Sequence, residues 1–175
     1  MPSFSESFGM SFELMWGMLT ADPGLTIGLL VFFGTGLLLV FIVNLIRHYN
    51  LKKSGILDVD KMKGSVFEDY LYTLLKSKGY SVQKTPVTGD YGADLVLHGN
   101  NKKIIVQAKR YKNKVGIKAV QEIAAAKSHY KADECWVITN NYYTKPAIGL
   151  AKSNNVDLVD RDKLIKWMIQ MRKSA

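Results

Sequence analysis

Cysteine is nearly absent from this chain of 175 residues, which contains one, Cys135. Without a second cysteine, neither an intrachain disulfide nor a cysteine zinc site can form. Cys135 lies in an apolar stretch beside Trp136, so we predict a small core side chain in a reducing compartment. The histidines, at positions 48, 98 and 129, are far apart and have no metal-ligand spacing. The sequence also has no internal repeat and no low-complexity tract.

Ionisable residues are absent between Asp22 and Arg47. Residues 23–46 would form a helix about 36 Å long, at roughly 1.5 Å per residue, against a bilayer hydrocarbon core of about 30 Å. The run is apolar all round, whereas the core helix of a soluble protein would be shorter and striped. It also exceeds the roughly 7 to 15 residues of a signal-peptide core and follows an acidic segment. We therefore predict a transmembrane helix embedded in the lipid bilayer.

Lysine and arginine are missing before this run and follow it closely. The residues that follow are Arg47, Lys52, Lys53, Lys61 and Lys63. Because cytoplasmic flanks carry the excess of basic residues, this asymmetry predicts a single-pass protein of the inner (plasma) membrane with a cytoplasmic C-terminal domain. Gly24 and Gly28 form a small-xxx-small pair, which leads to the further hypothesis of a homodimer through the span.

Composition divides the chain into four predicted segments. Residues 1–22 form a short N-terminal segment that we expect to be loosely ordered or interfacial, and residues 23–46 form the transmembrane helix. Residues 47–61 are typical of a polar linker, in which Lys52-Lys53-Ser54-Gly55 interrupts the helical pattern. Residues 62–175 remain for one domain of ordinary size.

Residues 62–175 alternate between helical and strand patterns. Helices are predicted over residues 64–78, 117–130, 145–153 and 163–171. Strands are predicted over residues 80–85, 134–139 and 156–159, with two more in a hairpin over residues 94–109. Such alternation predicts an α/β fold, a mixed β-sheet flanked by helices on both faces.

Positive charge dominates from residue 61 onward, where 21 Lys and Arg against 10 Asp and Glu give a net charge of +11. A domain this basic has polyanions as its expected partners. The inner leaflet of the membrane and nucleic acid both meet that description, and charge alone does not separate them. The basic residues are densest between Lys102 and Lys118.

The hairpin over residues 94–109 carries polar side chains among Val, Leu and Ile. A turn at Gly99-Asn100-Asn101 joins its strands and brings Asp94 beside the far end of the second strand. Alternation along that strand puts Gln107 and Lys109 on one face. A carboxylate, an amide and an ammonium would then converge at one edge of the sheet, which suits a divalent metal and a phosphodiester. The alternative is an ordinary solvent-facing hairpin.

Several motifs resemble, in the right order, the Mrr-type restriction endonuclease catalytic domain, a branch of the PD-(D/E)xK nuclease superfamily. They are Phe67-Glu68, Gly89-Asp90-Tyr91-Gly92-Ala93-Asp94-Leu95, Val106-Gln107-Ala108-Lys109-Arg110-Tyr111 and Val137-Ile138-Thr139-Asn140. The resemblance extends from about residue 64 to residue 167. It implies a restriction-endonuclease-like fold and a metal-dependent DNA endonuclease that hydrolyses phosphodiester bonds, in restriction or defence against foreign DNA.

The resemblance implies roles for particular residues. Asp94 would be the first ligand of Mg²⁺ or Mn²⁺, with Glu68 and Gln107 as the others. Lys109 would orient the attacking water or stabilise charge in the transition state. Gln107 stands where the superfamily commonly has an acidic residue, so the number of metal ions, one or two, stays open.

Three nearby residues have less definite roles. Asp90 would be either an outer metal ligand or a turn residue, and the turn is the interpretation we favour. Either Gln121 or Glu122 would point towards the site from the next helix.

DNA is the partner that the resemblance implies, and basic residues would contact its phosphates. They are Lys102, Lys103, Arg110, Lys112 and Lys114. Tyr111, Tyr142 and Tyr143 would either stack on bases or pack within the domain. Two alternatives stay open: a nuclease-silent module that holds nucleic acid at the membrane, and a structure-selective nuclease that cuts junctions.

Overall fold

The computed structural model describes residues 4–53, 55–86 and 91–173, and it divides into two compact units, Met1–Arg47 and His48–Ala175. The first unit holds α1 (Phe4–Ala21) and most of α2 (Pro23–Lys53). The sequence predicted a loosely ordered or interfacial segment before the span, and the structure has an α-helix there, which is ordered along its length and leaves the interfacial role a prediction. Residues 4–21 contain no proline, and strong helix formers such as Met, Leu and Glu are interspersed with weak ones such as Ser and Gly.

α2 begins at a capped N-terminus. The Asp22 carboxylate accepts a hydrogen bond from the Gly24 amide at 2.8 Å, and Pro23 occupies the first helical position. The window Pro23–Ile46 has a mean hydropathy of 2.7, and none of it is buried inside the structure. Among the described residues, α2 is the one helix whose length and composition would allow it to cross a membrane. The membrane crossing itself stays a prediction.

The second unit includes part of the predicted linker. α3 (Ile56–Val59) falls within residues 47–61, yet Val59 is fully buried in the core. Asp60 follows α3 and forms a bidentate ion pair with Arg161, in which both nitrogen–oxygen distances are 2.8 Å. The polar linker is therefore shorter than predicted, because an apolar side chain and a carboxylate attach residues 56–60 to the domain.

A mixed sheet of five strands, in the order β1-β2-β3-β4-β5, forms the centre of this unit. The strands are β1 (Ser81–Lys84), β2 (Leu95–Gly99), β3 (Lys102–Lys109), β4 (Glu134–Thr139) and β5 (Val156–Val159). β2 is antiparallel to both β1 and β3, whereas β3, β4 and β5 are parallel. The helices are α4 (Gly64–Ser77), α5 (Ile117–His129), α6 (Lys145–Ser153) and α7 (Arg161–Lys173). The predicted α/β fold is confirmed.

Each face of the sheet packs against its own pair of helices. Val106 of β3 belongs to the core that α4 and α7 cover, and its neighbour Ile105 belongs to the core that α5 and α6 cover. Cys135 is fully buried in the second of these cores. Because side chains alternate along a strand, Gln107 and Lys109 lie on the α5 face with Ile105.

Replacing Asp60 by asparagine tests how far its ion pair stabilises the domain. The hydrogen bond from Arg161 holds the pKa of the Asp60 carboxyl below its usual range. Such a carboxyl stabilises the folded state above its ordinary pKa of about 3.9, and the contribution is lost as the pH falls through the lowered pKa. We expect Asp60→Asn to lower the free energy of unfolding by about 1–3 kcal/mol near pH 7.

Urea denaturation of the full chain in detergent, followed by tryptophan fluorescence, measures this difference. The difference in the free energy of unfolding between wild type and Asp60→Asn should become smaller as the pH is lowered from about 7 to about 2. Asp157→Asn, which changes an exposed aspartate of β5, is the control and should match wild type. A difference in the free energy of unfolding that does not depend on pH would contradict a stabilising role of the Asp60 charge.

Candidate active site

The β2–β3 hairpin fixes the Asp94 carboxylate beside the end of β3. Two asparagines with φ of 52° and 58° close its tight turn, and the resulting register places Asp94 opposite Gln107. The Asp94 amide donates to the Val106 carbonyl at 2.8 Å. The Ala108 amide donates to Asp94 Oδ2 at 2.6 Å. The carboxylate is therefore oriented by the backbone of the neighbouring strand.

Gln107 and Lys109 meet at a glutamate of α5. Gln107 Nε2 donates a hydrogen bond to Glu122 Oε2 at 2.7 Å, and Lys109 Nζ lies 3.2 Å from the same oxygen. Gln107 is only 1% exposed, and its Oε1 atom has no hydrogen-bond partner among the described residues. Because a buried acceptor without a partner is costly, this oxygen indicates a ligand that none of the described residues supplies.

The periodicity of α5 explains why Glu122 reaches the site and Gln121 does not. Ala119, Val120 and Ile123 form the buried side of the helix. At about 100° per residue, Glu122 flanks that side, whereas Gln121 lies opposite to it and is exposed. From the sequence, either Gln121 or Glu122 was expected to point towards the site. The spacing of the apolar positions along α5 is the signal that distinguishes the two.

The neighbours of Glu122 keep its carboxyl ionised. Burial raises the pKa of this carboxyl, but the hydrogen bond from Gln107 and the charge of Lys109 outweigh burial, so the pKa lies below its usual range. Lys118 adds a longer ion pair at 3.8 Å. A cavity of about 180 Å³ opens here, with Lys109, Lys118, Glu122 and Tyr111 in its lining. We call this the site cavity.

The structure shows no hydrogen bond or ion pair between the Glu68 side chain and this group. It lies half-buried on α4, which covers the opposite face of the sheet from Gln107 and Lys109. Glu68 makes no hydrogen bond or ion pair with the described residues, and its neighbour Asp69 pairs with Lys84 of β1. A metal-binding role for Glu68 stays a prediction.

The predicted DNA-binding residues form two groups rather than one cluster. Lys102 and Lys103 lie at the turn end of β3, about 23 Å from its other end at roughly 3.3 Å per residue. Lys112 and Lys114 follow the site end of β3 and are exposed, and Arg110 beside them is half-buried. Residues that are close in sequence are separated here because an extended strand lies between them. Their contacts with DNA stay predictions.

The oxygen atoms of the site suit a hard divalent cation. Asp94 and Glu122 supply carboxylates, and Gln107 supplies the buried amide oxygen without a partner among the described residues. Within the described ranges, no three His, Cys, Asp or Glu side chains cluster as metal ligands, and Asp90 falls outside those ranges. Mg²⁺ accepts one or two carboxylates because it keeps several of its waters. The donor set therefore fits a divalent cation.

The sequence from the end of α3 to α7 matches a family model. Residues 59–168 match the Mrr catalytic domain, described as a restriction endonuclease. The chain belongs to the Mrr-type restriction endonuclease family. Over 115 residues it is 33% identical to the type IV methyl-directed restriction enzyme EcoKMrr of Escherichia coli strain K12, an alignment that covers 61% of this chain and 38% of that enzyme.

A solved structure shares the fold of this Mrr-type domain. The DNA modification-dependent restriction endonuclease AspBHI superposes with a TM-score of 0.51 at 16% sequence identity, covering 74% of this chain and 40% of that protein. The chain thus spans less than half the length of either enzyme. The predicted family is confirmed, and the unit built on α4 to α7 is a restriction-endonuclease-like nuclease domain.

Gly92 keeps space open beside the site of the Mrr-type domain. Its φ is +89°, and an added Cβ would lie 3.0 Å from Glu122 Cβ and 3.5 Å from Gln107 Nε2. We expect Gly92→Ala to lower kcat/KM for DNA cleavage by about 10- to 100-fold, because small displacements of reacting groups have effects of this size. Gly149→Ala in α6, where an added Cβ meets nothing within 4 Å, is the control. Similar rates for both variants would contradict the prediction.

Proposed function

We propose that this Mrr-family protein is a membrane-anchored, divalent-metal-dependent DNA endonuclease. The observation that carries the proposal is the group of Asp94, Gln107, Lys109 and Glu122 at one end of β3, with a buried amide oxygen that no described residue satisfies. Oxygen ligands beside an ammonium suit metal-assisted phosphodiester hydrolysis. A purely structural polar cluster would be expected to satisfy its buried acceptors.

Each side chain has a definite task in this proposal. Asp94, Glu122 and Gln107 Oε1 would hold Mg²⁺ or Mn²⁺, which when bound supplies a water of lowered pKa and offsets charge on the phosphate. The Ala108 amide keeps the Asp94 carboxylate oriented. Lys109, oriented by Glu122, would bring a positive charge to the oxygen atoms that become negative in the transition state.

Exposed lysines near the site would bind the DNA backbone. Lys112, Lys114 and Lys118 are exposed and lie just after β3 or at the start of α5. Contacts of this kind neutralise phosphates without reading bases, so binding should tolerate many sequences and weaken as salt is added. Replacing Lys102 and Lys103 together would test whether bound DNA extends to the turn end of β3.

Plasmid cleavage with and without divalent cations tests the proposal. We expect the purified full chain to nick or linearise supercoiled DNA in Mg²⁺ or Mn²⁺ and to be inactive after chelation with EDTA. Binding of the plasmid should persist in EDTA, because the lysine contacts need no metal ion. Cleavage that survives chelation would refute the metal dependence.

A nuclease-silent nucleic-acid-binding module is the second candidate. It is favoured by Gln107, which adds no negative charge, and by the lack of a cluster of three His, Cys, Asp or Glu ligands in the described part of the chain. This candidate predicts salt-sensitive binding without strand cleavage in any cation. The same plasmid assay therefore separates the two functions.

The preferred DNA needs its own comparison. The two relatives are named as methyl-directed and modification-dependent enzymes, and the chain spans less than half of each. We propose restriction of foreign DNA as the role, with structure-selective cleavage as the alternative. Rates on methylated, unmethylated, single-stranded and branched DNA of one sequence distinguish them, since a structure-selective enzyme would cut branched DNA fastest regardless of methylation.

The proposed anchor is α2, with the nuclease domain on the cytoplasmic side of the inner membrane. Support comes from the uncharged window Pro23–Ile46 and from the basic residues that follow it. Alkaline carbonate should leave the full chain in the membrane fraction, whereas a chain without residues 23–46 should be released. Release of both chains would exclude the anchor. The homodimer through Gly24 and Gly28 stays a prediction.

A further inference from the structure

A second cavity lies beside the site cavity, and Lys112 is the one residue of its lining to which a task is proposed above. Its volume is about 370 Å³, within the roughly 300–1,000 Å³ of small-ligand pockets. The loops after β3 and β4 contribute Tyr111 and Lys112 on one side, and Asn141 and Tyr142 on the other. The cavity thus lies at the carboxyl ends of two parallel strands, where open α/β sheets bind their ligands.

Two of the three tyrosines noted in the sequence are exposed at this second cavity. Tyr111 is 49% exposed and Tyr142 is 40% exposed, whereas Tyr143 is only 7% exposed and donates its hydroxyl to the Val137 carbonyl at 2.7 Å. Among the described residues, neither Tyr111 nor Tyr142 stacks on another aromatic ring. Tyr143 is therefore a packing residue, and the other two tyrosines have ring surface available to a ligand.

Side-chain amides brace the backbone that carries both exposed tyrosines. Asn140 Oδ1 accepts a hydrogen bond from the Tyr111 amide at 2.9 Å. Asn141 Nδ2 donates to the Lys112 carbonyl at 2.9 Å, and Asn141 Oδ1 accepts from the Tyr142 amide at 2.8 Å. Aromatic side chains on a braced backbone lose little conformational freedom when a planar ligand stacks on them.

Two of the three charged side chains that line the second cavity neutralise each other, and Lys112 leaves one positive charge. Asp60 and Arg161 both line it and neutralise each other through their paired 2.8 Å contacts. A carboxylate accepts hydrogen bonds and a guanidinium donates them, so the pair suits a neutral ring with donors and acceptors at its edge. Aromatic faces together with such a polar edge match a nucleobase, and Lys112 can contact the phosphate next to that base.

Tyr111 connects the two cavities, because it lines both of them. A nucleotide next to the phosphate under attack would therefore have a place for its base. We infer that the second cavity is a subsite for one unpaired nucleobase of the DNA substrate, stacked on Tyr111 and Tyr142 beside the scissile phosphate. The inference rests on the proposed nuclease function, and it gives the enzyme a preference for DNA with an unpaired base next to the cut.

Fluorescence of 2-aminopurine in DNA tests this subsite. Two duplexes of one sequence carry 2-aminopurine either paired with thymine or as a single-base bulge, and each is titrated with the full chain in detergent and EDTA. We expect the bulged duplex to bind at least about fivefold more tightly and to be quenched on binding, since stacking on an aromatic ring changes affinity roughly 5- to 150-fold. Tyr111→Leu and Tyr142→Leu should lose the preference, whereas Tyr111→Phe and Tyr142→Phe should keep it.

Tyr72→Leu is the matched control, because Tyr72 lies on α4 at the other face of the sheet. It should bind both duplexes as wild type does. Equal affinity of wild type for the two duplexes, or an unchanged preference in both leucine variants, would overturn the subsite.

Cleavage of the same duplexes in Mg²⁺ is measured separately, so that the subsite and the nuclease can fail independently. A bulge preference in EDTA without cleavage in Mg²⁺ would refute the nuclease and support the subsite. Cleavage by wild type without any bulge preference would support the nuclease and refute the subsite.

Discussion

The rate of DNA cleavage is expected to fall by at least about 10²- to 10³-fold when Lys109 is replaced by alanine. Losses of this size are typical when an enzyme loses one positioned group that stabilises charge in the transition state. Asp94→Ala should lose at least as much activity, because it removes a carboxylate that is already oriented by the Ala108 amide. Without that ligand, the metal ion and its activated water are no longer held in place. Both variants should still bind DNA in EDTA with affinities close to that of wild type.

Single-turnover cleavage of a labelled duplex in Mg²⁺ measures the loss, and circular dichroism verifies folding. Two matched controls change an exposed aspartate of β5 and an exposed lysine of α6, as Asp157→Ala and Lys152→Ala. Both controls should cleave at the wild-type rate. Equal activity in wild type, Asp94→Ala and Lys109→Ala would mean that the cleavage comes from another site or from a contaminant.

Glu122 is the residue whose replacement distinguishes a metal ligand from a mere partner of Gln107. The Glu122→Gln side chain keeps an oxygen that can accept the hydrogen bond from Gln107 but loses the negative charge. If Glu122 binds the cation, we expect the Mg²⁺ concentration for half-maximal cleavage to rise by about 10- to 100-fold. If Glu122 only positions Gln107, that concentration should hardly change.

Exchanging the carboxylate and the amide makes this test sharper. The double variant Gln107→Glu with Glu122→Gln keeps the same atoms and total charge, but moves the carboxylate from α5 to β3. It should recover much of the Mg²⁺ affinity that Glu122→Gln loses, because the two side chains are 2.7 Å apart in the native protein. Gln121→Ala, on the exposed side of α5, is the control. Failure of the double variant to bind Mg²⁺ better than Glu122→Gln would argue against a shared cation.

The order of helices and strands in the nuclease domain could be predicted because local patterns determine it. The apolar alternation around Gly99-Asn100-Asn101 specified both strands and their turn, and the register follows from the turn. The helical spacing of residues 64–77 likewise identified α4. α1 was missed because weak helix formers among its residues obscured the pattern.

Contacts between distant elements could not be predicted in the same way. That Glu122 meets Gln107 depends on how α5 packs on the sheet, and no local pattern encodes that distance. The same limit applies to Asp60 and Arg161, which are far apart in sequence and form an ion pair. Lys102 and Lys103 were grouped in sequence with Arg110, Lys112 and Lys114 as DNA-binding residues, but the extended strand β3 separates the two groups.

The dependence of the site on α5 has a consequence for biosynthesis. Asp94, Gln107 and Lys109 all lie on the hairpin, which can form early, but Glu122 arrives only when α5 has docked on the sheet. A ribosome-bound or half-assembled chain would therefore lack one of the carboxylates that we propose to hold the metal ion. In the proposed nuclease, DNA cleavage would then begin only after translation and packing of this layer are complete.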